Sequence, residues 1–321
     1  MREVLKRLKL AIPIGLIYGI LLYMLVWAGQ HVDEGLPAIA GLVLFPTGVG
    51  SVVAAFYDPR AERRVLDSIF ASWGVFFGIL SITALFFGEG IVCIIMAIPI
   101  ALPTLALGAY LTHAWVRNRG KRNLTPCIAV LPLLVLPVEN MITWPNQITH
   151  VTSVVEIDAP ADVVWRNTVD IPDIDPDQLG WTVSHSLMFI PKPLDARMQG
   201  SGVGAARELS WTRGVSFRER ITEWEQDRRL SWGFEFDADS IPRGIDDHIR
   251  PDSDYLELVR GEYELTPLPS GGTQLSLTTW YRVQTPINGY LNLWGHMFLN
   301  DFHGIVLAEI DRRATAEAGA S

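Results

Sequence analysis

The stretch VVEIDAPADVVW, residues 154–165, decides the fold of the C-terminal half of this chain. Its β-branched start is typical of a strand, which we expect over residues 150–158. The proline and the two aspartates that follow favour a turn and the first turn of a helix. A short helix that carries Trp165 should therefore come directly after the strand.

Downstream of this stretch, apolar and polar residues begin to alternate after a polar, proline-rich segment at residues 170–200. The alternation predicts four or five antiparallel strands. They lie at about residues 203–211, 217–221, 229–237, 255–265 and 273–283. We expect the first strand to bury Val203 together with Leu209 and Trp211.

A long final helix should run from Pro286 to about Ala316. Its predicted apolar face consists of Tyr290, Leu291, Trp294, Phe298, Asp301, Ile305 and Ala308. A sheet of this kind buries a face by curling around the helix, and seven tryptophans in this half favour an aromatic lining between the two.

Several motifs of this half resemble the SRPBCC proteins, the START-like superfamily that includes polyketide cyclase/dehydrase-like and lipid-transport domains. The matching segments are residues 154–165, GVGAAR at 202–207, ERITEW at 219–224, GTQL at 272–275 and the helix at 290–312. The resemblance implies an α+β helix-grip (Bet v 1-like) fold, in which a curved antiparallel sheet surrounds the C-terminal helix and a cavity holds a hydrophobic ligand. It leaves the chemistry open, because the superfamily contains binding proteins, transfer proteins and some enzymes.

The same resemblance suggests a Trp-x-Asp-x-x-x-His-x-x-His pattern in the last helix. The corresponding positions hold Trp294, His296, Asn300 and His303. Only the tryptophan and the second histidine are kept, so we expect no two-histidine metal site.

The N-terminal half has a different composition. Residues 1–148 carry a net charge of +3 and residues 149–321 one of −12, within a chain that is 49% hydrophobic and has a total charge of −9. Five apolar segments approach or exceed the roughly 20 residues that a membrane-spanning helix needs. They are residues 10–28, 36–57, 68–88, 90–116 and 124–144. We therefore predict a transmembrane helical domain at 1–148, which resembles no known family, and a ligand-binding domain at 149–321.

Basic residues predict the orientation of these segments. Arginine and lysine precede the first segment and lie at 60–64 and 117–122, whereas the loops at 29–35 and 88–90 contain neither. The positive-inside rule then places the N-terminus in the cytoplasm and, after five crossings, the C-terminal domain outside a bacterial inner membrane. The fifth segment contains three prolines and ends near Glu139, so a re-entrant segment, with that domain in the cytoplasm, is the alternative. We expect Glu139 to be interfacial and Glu89 to be solvated.

The charge distribution also limits the partners. The acidic C-terminal half has no basic stripe, which argues against nucleic acid as a partner. Both cysteines fall in apolar segments, and Asp246-Asp247-His248 lacks the spacing of a cation-binding loop. We therefore expect no metal site and no cofactor, and we expect the partners to be the lipid bilayer and a lipid or other hydrophobic small molecule.

The alternation of inward-facing and outward-facing residues along the predicted strands points to the candidate site. Arg207 and Glu219 both fall on apolar strand faces, where an unpaired charge is costly. They either form a buried salt bridge or anchor the polar head of a ligand. The predicted ligand-binding residues are Arg207, Trp211, Phe217, Glu219, Trp232, Phe234, Tyr263, Tyr281, Trp294, Phe298 and His303.

Two other functional hypotheses remain open. A cyclase- or hydrolase-like enzyme would use His303, Glu219 or Tyr281 as its catalytic group, with His303 as a general base at the cavity mouth. A module that binds proteins would need no small ligand at all.

Overall fold

The computed structural model describes residues 2–30, 38–87, 90–120, 124–139, 141–242, 245 and 251–320. Glu89 and Asp246-Asp247-His248 lie outside these residues. The chain divides into two compact units, which we call the helical unit and the sheet unit. The helical unit comprises Met1–Pro145 and Thr285–Ile287, and the sheet unit comprises Asn146–Gln284 and Asn288–Ser321.

The helical unit contains five helices among its described residues. They are α1 (Arg2–Gln30), α2 (Phe45–Tyr57, continuous with a π-helical turn at Ile39–Leu44), α3 (Val65–Phe87), α4 (Ile91–Arg119) and α5 (Leu124–Glu139). Four helical segments of the described chain are long and apolar enough to cross a membrane, and α5 is a shorter apolar helix of 16 residues. Within the described residues, the predicted fifth segment is helical as far as Glu139, and residues 141–142 form a turn and a bend.

Helix α2 lies at the centre of this unit, since every one of its residues except Phe56 is buried. Glycines let α2 and α4 approach closely: a Cβ on Gly108 would lie 1.9 Å from the Thr47 carbonyl oxygen, and one on Gly50 would lie 2.1 Å from that of Leu105. Small residues at such contacts are typical of membrane helix pairs, which gain stability from close van der Waals packing.

Glu139 is buried within the helical unit, with 3% of its surface exposed. Its carboxylate accepts hydrogen bonds from the backbone N–H groups of Ile39 and Ala40, each at 2.7 Å. These N–H groups lie in the first turn of a helix, where they have no partner within the helix and favour a negative charge. The end of α5 therefore lies beside the start of the helix that leads into α2.

The sheet unit contains seven strands and two α-helices in the described residues. They are β1 (Gln147–Ile157), α6 (Ala161–Val169), β2 (Pro193–Gln199), β3 (Ala206–Trp211), β4 (Ser216–Glu225), β5 (Arg229–Glu235), β6 (Leu256–Pro267), β7 (Thr273–Val283) and α7 (Asn288–Ala320), with a π-helical turn at Val183–Leu187. The strand order is β1-β7-β6-β5-β4-β3-β2. All neighbouring pairs are antiparallel. Helix α7 packs on β1 and β7 of this sheet, so the predicted helix-grip architecture is confirmed.

Three details differ from the sequence-based expectation. Strand β2 lies within the proline-rich segment in which no strand was predicted. Val203 is 68% exposed, because Gly202 and Gly204 with left-handed backbone angles form a turn before β3. The predicted apolar face of α7 is also displaced. Its buried residues are Leu299, His303, Ile305, Leu307, Glu309, Ile310 and Ala314, whereas the predicted Ala308 is exposed.

Candidate ligand-binding cavity

A cavity of about 120 Å³ lies inside the sheet unit. Its walls come from the inner face of the sheet, the middle of α7 (residues 299–309) and the segment after α6. The aromatic residues that line it are Trp211, Phe217, Trp232, Phe234, Tyr263 and Phe302. Most other lining residues are aliphatic, so the cavity is predominantly apolar.

Arg207 and Glu219 form a buried ion pair in the wall of this cavity. The strands β3 and β4 place them directly opposite each other, and their side chains are 3% and 5% exposed. Arg207 Nε donates to Glu219 Oε2 at 2.6 Å, and Nη2 lies 2.5 Å from the same oxygen. Arg207 Nη1 donates to the Thr168 carbonyl oxygen at the end of α6, at 2.7 Å. Burial raises the pKa of the Glu219 carboxyl, and the adjacent guanidinium opposes that change.

Two aromatic rings complete the surroundings of Arg207. Its guanidinium carbon lies 4.6 Å from the Trp232 ring centre and 5.7 Å from that of Tyr263. The Trp232 indole covers Gly261 on the neighbouring strand, where any Cβ would lie 2.3 Å from the ring. Cation–π attraction and the ion pair together hold the guanidinium in one position.

A second polar group of the wall is His303 on α7. Its Nε2 lies 2.9 Å from Thr279 Oγ1, and its Nδ1 lies 3.1 Å from Ser153 Oγ. Ser153 Oγ donates in turn to Asn300 Oδ1 at 3.3 Å. With its proton directed at Asn300, Ser153 accepts from Nδ1–H, and Nε2 then accepts from the Thr279 hydroxyl.

The environment of His303 determines its charge. Burial lowers the pKa of its imidazole to about 4, so the ring is neutral at pH 7. A base with this pKa is far from the operating pH at which general base catalysis is efficient. His303 is also 3% exposed and lies in the cavity wall. It is a hydrogen-bonding group, and a weak proton acceptor.

Eight of the eleven predicted ligand-binding residues line the cavity, while Tyr281, Trp294 and Phe298 do not. Tyr281 packs under α7, where a Cβ on Gly295 would lie 2.7 Å from its hydroxyl oxygen. Its pKa is raised to about 12 by burial, so it is no ready proton donor. Trp294 packs along its own helix against Phe298, at 5.9 Å between ring centres, because the cavity lies under the later turns of α7.

The sequence-based prediction missed part of the lining. Thr279 lies on the same strand face as the predicted apolar residues of β7, and this position was the sequence signal that could have identified it as a lining residue. Phe302 adjoins His303 on α7. Ile171, Ile174 and Leu179 come from irregular backbone after α6, where no periodic pattern marks them. Across the described part of the chain, no three His, Cys, Asp or Glu side chains form a group that could hold a metal ion.

Comparisons with solved structures match about half of the chain. A protein from Nitrosomonas europaea is 18% identical, with a TM-score of 0.33 over 53% of this chain and 96% of that one. An aromatase/cyclase from Streptomyces sp. R1128 is 16% identical, with a TM-score of 0.33 over 54% and 94%. A truncated norcoclaurine synthase from Thalictrum flavum is 11% identical, with a TM-score of 0.32 over 53% and 94%.

No protein-family model matches the sequence, and no curated protein matches it. The fold assignment rests on the strand order and on the packing of α7 against the sheet. The C-terminal half of the chain therefore has the helix-grip fold that its resemblance to the START-like superfamily implied.

Proposed function

We propose that this chain is a membrane-anchored binding protein whose sheet unit holds a hydrophobic small molecule, a lipid or another compound, in the helix-grip cavity. The observation that carries this proposal is the cavity itself, with its aromatic walls and a small number of fixed polar groups. Binding sites for small molecules typically combine an apolar lining with a few polar groups that orient the ligand.

The volume of the cavity favours a compact occupant. An apolar protein cavity of about 150 Å³ holds a benzene molecule, whereas pockets for drug-sized ligands measure about 300–1,000 Å³. The 120 Å³ found here suits a single ring or one end of a longer molecule. A whole lipid would enter only if the sheet and α7 moved apart.

The polar groups support an anchoring role as well as a structural one. Arg207 has five N–H donors, of which Glu219 and the Thr168 carbonyl engage three. Two donors remain for a polar group of the ligand. The buried pair is thus compatible with both roles that the sequence left open for it.

The enzymatic alternative has less support from the geometry. His303 is neutral and weakly basic, Glu219 is tied to Arg207, and Tyr281 lies outside the cavity lining. None of the three is a free acid or base near neutral pH. We therefore favour binding over catalysis.

We further propose that the sheet unit lies outside the cell membrane, opposite to a cytoplasmic N-terminus. With that N-terminus, α1 crosses outward and α2 returns, so the start of the helix at Ile39 is on the outer side. Glu139 at the end of α5 bonds to this start, which supports a path of α5 across the bilayer despite its 16 residues. Four long apolar helices would anchor the protein and raise the effective concentration of a membrane-derived ligand.

Two experiments test these proposals. Mass spectrometry of an organic extract of the purified protein should find a co-purified hydrophobic molecule at near-stoichiometric amount, and a cavity that stays empty when hydrophobic compounds are added would refute ligand binding. A reporter that is active only in the cytoplasm, fused after Ser321, should be silent. A signal from it would show that α5 does not cross, and the ligand experiment would be unaffected.

A further inference from the structure

Three large apolar side chains are exposed together on one short segment of the sheet unit. Trp181, Leu187 and Phe189 are 73%, 54% and 59% exposed. They belong to residues 181–189, which contain the π-helical turn and which we call the aromatic loop. Groups of exposed apolar side chains typically mark contact with another protein or with a membrane. The outer side of the aromatic loop is therefore a candidate interaction surface.

Hydrogen bonds close the aromatic loop and bring these side chains near one another. The backbone N–H of Ser186 donates to the Thr182 carbonyl oxygen at 3.0 Å. Trp181 and Leu187 are the next neighbours of this bonded pair in the chain, and Phe189 follows two residues later. The three exposed side chains thus lie on one compact turn.

The opposite side of the loop is fixed to the body of the sheet unit. Ser184, His185 and Met188 are buried. Asp301 of α7 accepts from the backbone N–H of Ser184 at 2.8 Å and from its hydroxyl at 2.6 Å. The His185 ring lies 5.1 Å from that of Phe302, between ring centres. Because this inner side is already packed, the exposed side chains cannot turn inward without breaking these contacts.

Backbone strain occurs at the end of the same loop. Phe189 and Arg213 have φ angles of 57° and 61°, in the left-handed region that residues other than glycine adopt only at a cost. Arg213 Nη1 donates to the Phe189 carbonyl oxygen at 3.0 Å and stabilises this conformation. Strain of this kind persists where the surrounding structure imposes it, and it concentrates at functional sites. The fold thus holds Phe189 in its exposed position.

A lipid bilayer is the partner that this chain itself supplies. Four of its described helices are long and apolar enough to cross a membrane, and only seven residues, 140–146, join α5 to β1. Tryptophan, phenylalanine and leucine are the side chains that peripheral segments bury in the membrane interface. Residues 149–321 carry a net charge of −12, which disfavours a second copy of this unit as the partner. The exposed Asp175 and Asp177 give no match to anionic headgroups, so the contact with the bilayer must be apolar.

We propose that the aromatic loop inserts Trp181, Leu187 and Phe189 into the interface of the bilayer that the helices of the same chain span. This inference rests on the membrane anchoring in the proposed function and adds a second contact with the membrane. Leu179, two residues before the loop, lines the cavity. The contact therefore brings part of the cavity wall close to the source of a membrane-derived ligand.

The test uses the full chain in nanodiscs of phosphatidylcholine, with Cys93 and Cys127 replaced by alanine and one new cysteine labelled with the fluorophore NBD. The three label sites are Leu187→Cys in the loop, Phe77→Cys on α3 and Val203→Cys, all at exposed residues. Val203 is the matched control, because it lies in the turn at the opposite end of the β2–β3 pair. Spin-labelled lipid quenches a label in the bilayer, and iodide quenches a label in water.

We expect lipid quenching at position 187 to approach that at position 77, and the label at position 203 to respond only to iodide. Trp181→Ser combined with Phe189→Ser should abolish lipid quenching at position 187. The loss of two apolar side chains from the interface lowers the insertion equilibrium by about a hundredfold. Near-ultraviolet circular dichroism verifies that this variant keeps its fold.

Iodide quenching at position 187 in the otherwise unchanged loop would overturn the proposal, because the loop would then lie in water. Protection of this label from both quenchers would refute it too, since a protein surface would then cover the loop. Unchanged lipid quenching after the two serine substitutions would contradict it as well and assign the insertion to the label. A label at position 77 that lipid does not quench would instead refute the membrane anchoring on which the proposal rests.

Discussion

Removal of the buried arginine should destabilise the sheet unit strongly. In Arg207→Ala, the Glu219 carboxyl would remain in a site where 5% of its side chain is exposed and no cation lies beside it, so it would either stay charged without a partner or take up a proton. Breaking a buried ion pair from one side costs about 3–5 kcal/mol. The hydrogen bond to the Thr168 carbonyl and the contact with Trp232 are lost as well. Their loss is already included in the cost of about 3–5 kcal/mol for breaking the ion pair, so no further cost is added.

We expect a total loss of about 4 kcal/mol in the free energy of unfolding of this unit. For a domain of this size, 1 kcal/mol corresponds to about 2–4 °C in the unfolding midpoint, so the midpoint should fall by about 10 °C. Replacement of both partners by apolar residues, Arg207→Met with Glu219→Leu, removes the uncompensated charge. The double variant should lie within about 1 kcal/mol of the wild type, because apolar replacements of buried pairs are often neutral.

The assay is unfolding of the detergent-solubilised full chain, followed by near-ultraviolet circular dichroism, which reports on the tryptophans around the cavity. Glu219→Ala serves as the reciprocal control and should destabilise by a similar amount, since it leaves Arg207 unpaired. A loss below 1 kcal/mol for Arg207→Ala would refute the reasoning. So would a double variant as unstable as the single one, because the arginine would then act through packing rather than through its charge.

Three further predictions concern separate parts of the chain. Acidification from pH 7 to 4 should destabilise the sheet unit by about 3 kcal/mol through His303. Its pKa of about 4 in the folded protein lies below the unfolded value of 6.5, so between these two pH values only the unfolded chain binds the proton. Thermal unfolding of His303→Gln at several pH values should lack this part of the dependence of stability on pH. Gly108→Ala should lower the melting temperature of the helical unit by more than 10 °C, since its Cβ would collide with the Thr47 backbone. The control Gly74→Ala, whose Cβ would meet nothing within 4 Å, should change this temperature little. Fluorescence-detected size exclusion after heating compares the two variants. Glu139→Gln removes the charge that receives two backbone N–H groups and should cost about 1–2 kcal/mol in the same assay; an unchanged midpoint would mean that the carboxylate contributes nothing there.

The strands that the alternation predicted, β3 to β7, are paired on both sides, whereas the edge strand β1 was predicted from its β-branched residues. β4, β5, β6 and β7 have neighbours on either edge, so one face is buried along their whole length and the alternation is visible. β2 is an edge strand that begins with Pro193, and edge strands tolerate proline and polar residues. Its sequence therefore lacks the periodic pattern.

The face of α7 was harder to predict because the helix has apolar residues on more than one side. Tyr290, Trp294 and Phe298 stack on one another along its first turns, with 6.3 Å and 5.9 Å between consecutive ring centres. Leu299 and His303 begin a different buried face over the sheet. A helical period fits both sets, so periodicity alone does not decide which of them faces the cavity.

The candidate site shows the same division between local and long-range information. Strand parity placed Arg207 and Glu219 on inward faces, and the register of β3 with β4 brings them together as expected. The third partner is the Thr168 carbonyl at the end of α6, which lies 39 residues before Arg207 in the sequence. No local sequence pattern predicts this contact.

Burial is the property that most changes the functional interpretation. From the sequence, His303 on a helix beside an apolar cavity is a reasonable general base. In the fold, its ring contacts only hydroxyl groups through its nitrogens and is almost fully buried, which lowers its pKa to about 4. A neutral imidazole whose two nitrogens are engaged by Ser153 and Thr279 is poorly suited to removing a proton at pH 7. The choice between a binding protein and an enzyme thus depends on a desolvation effect that arises only when α7 packs on β1 and β7.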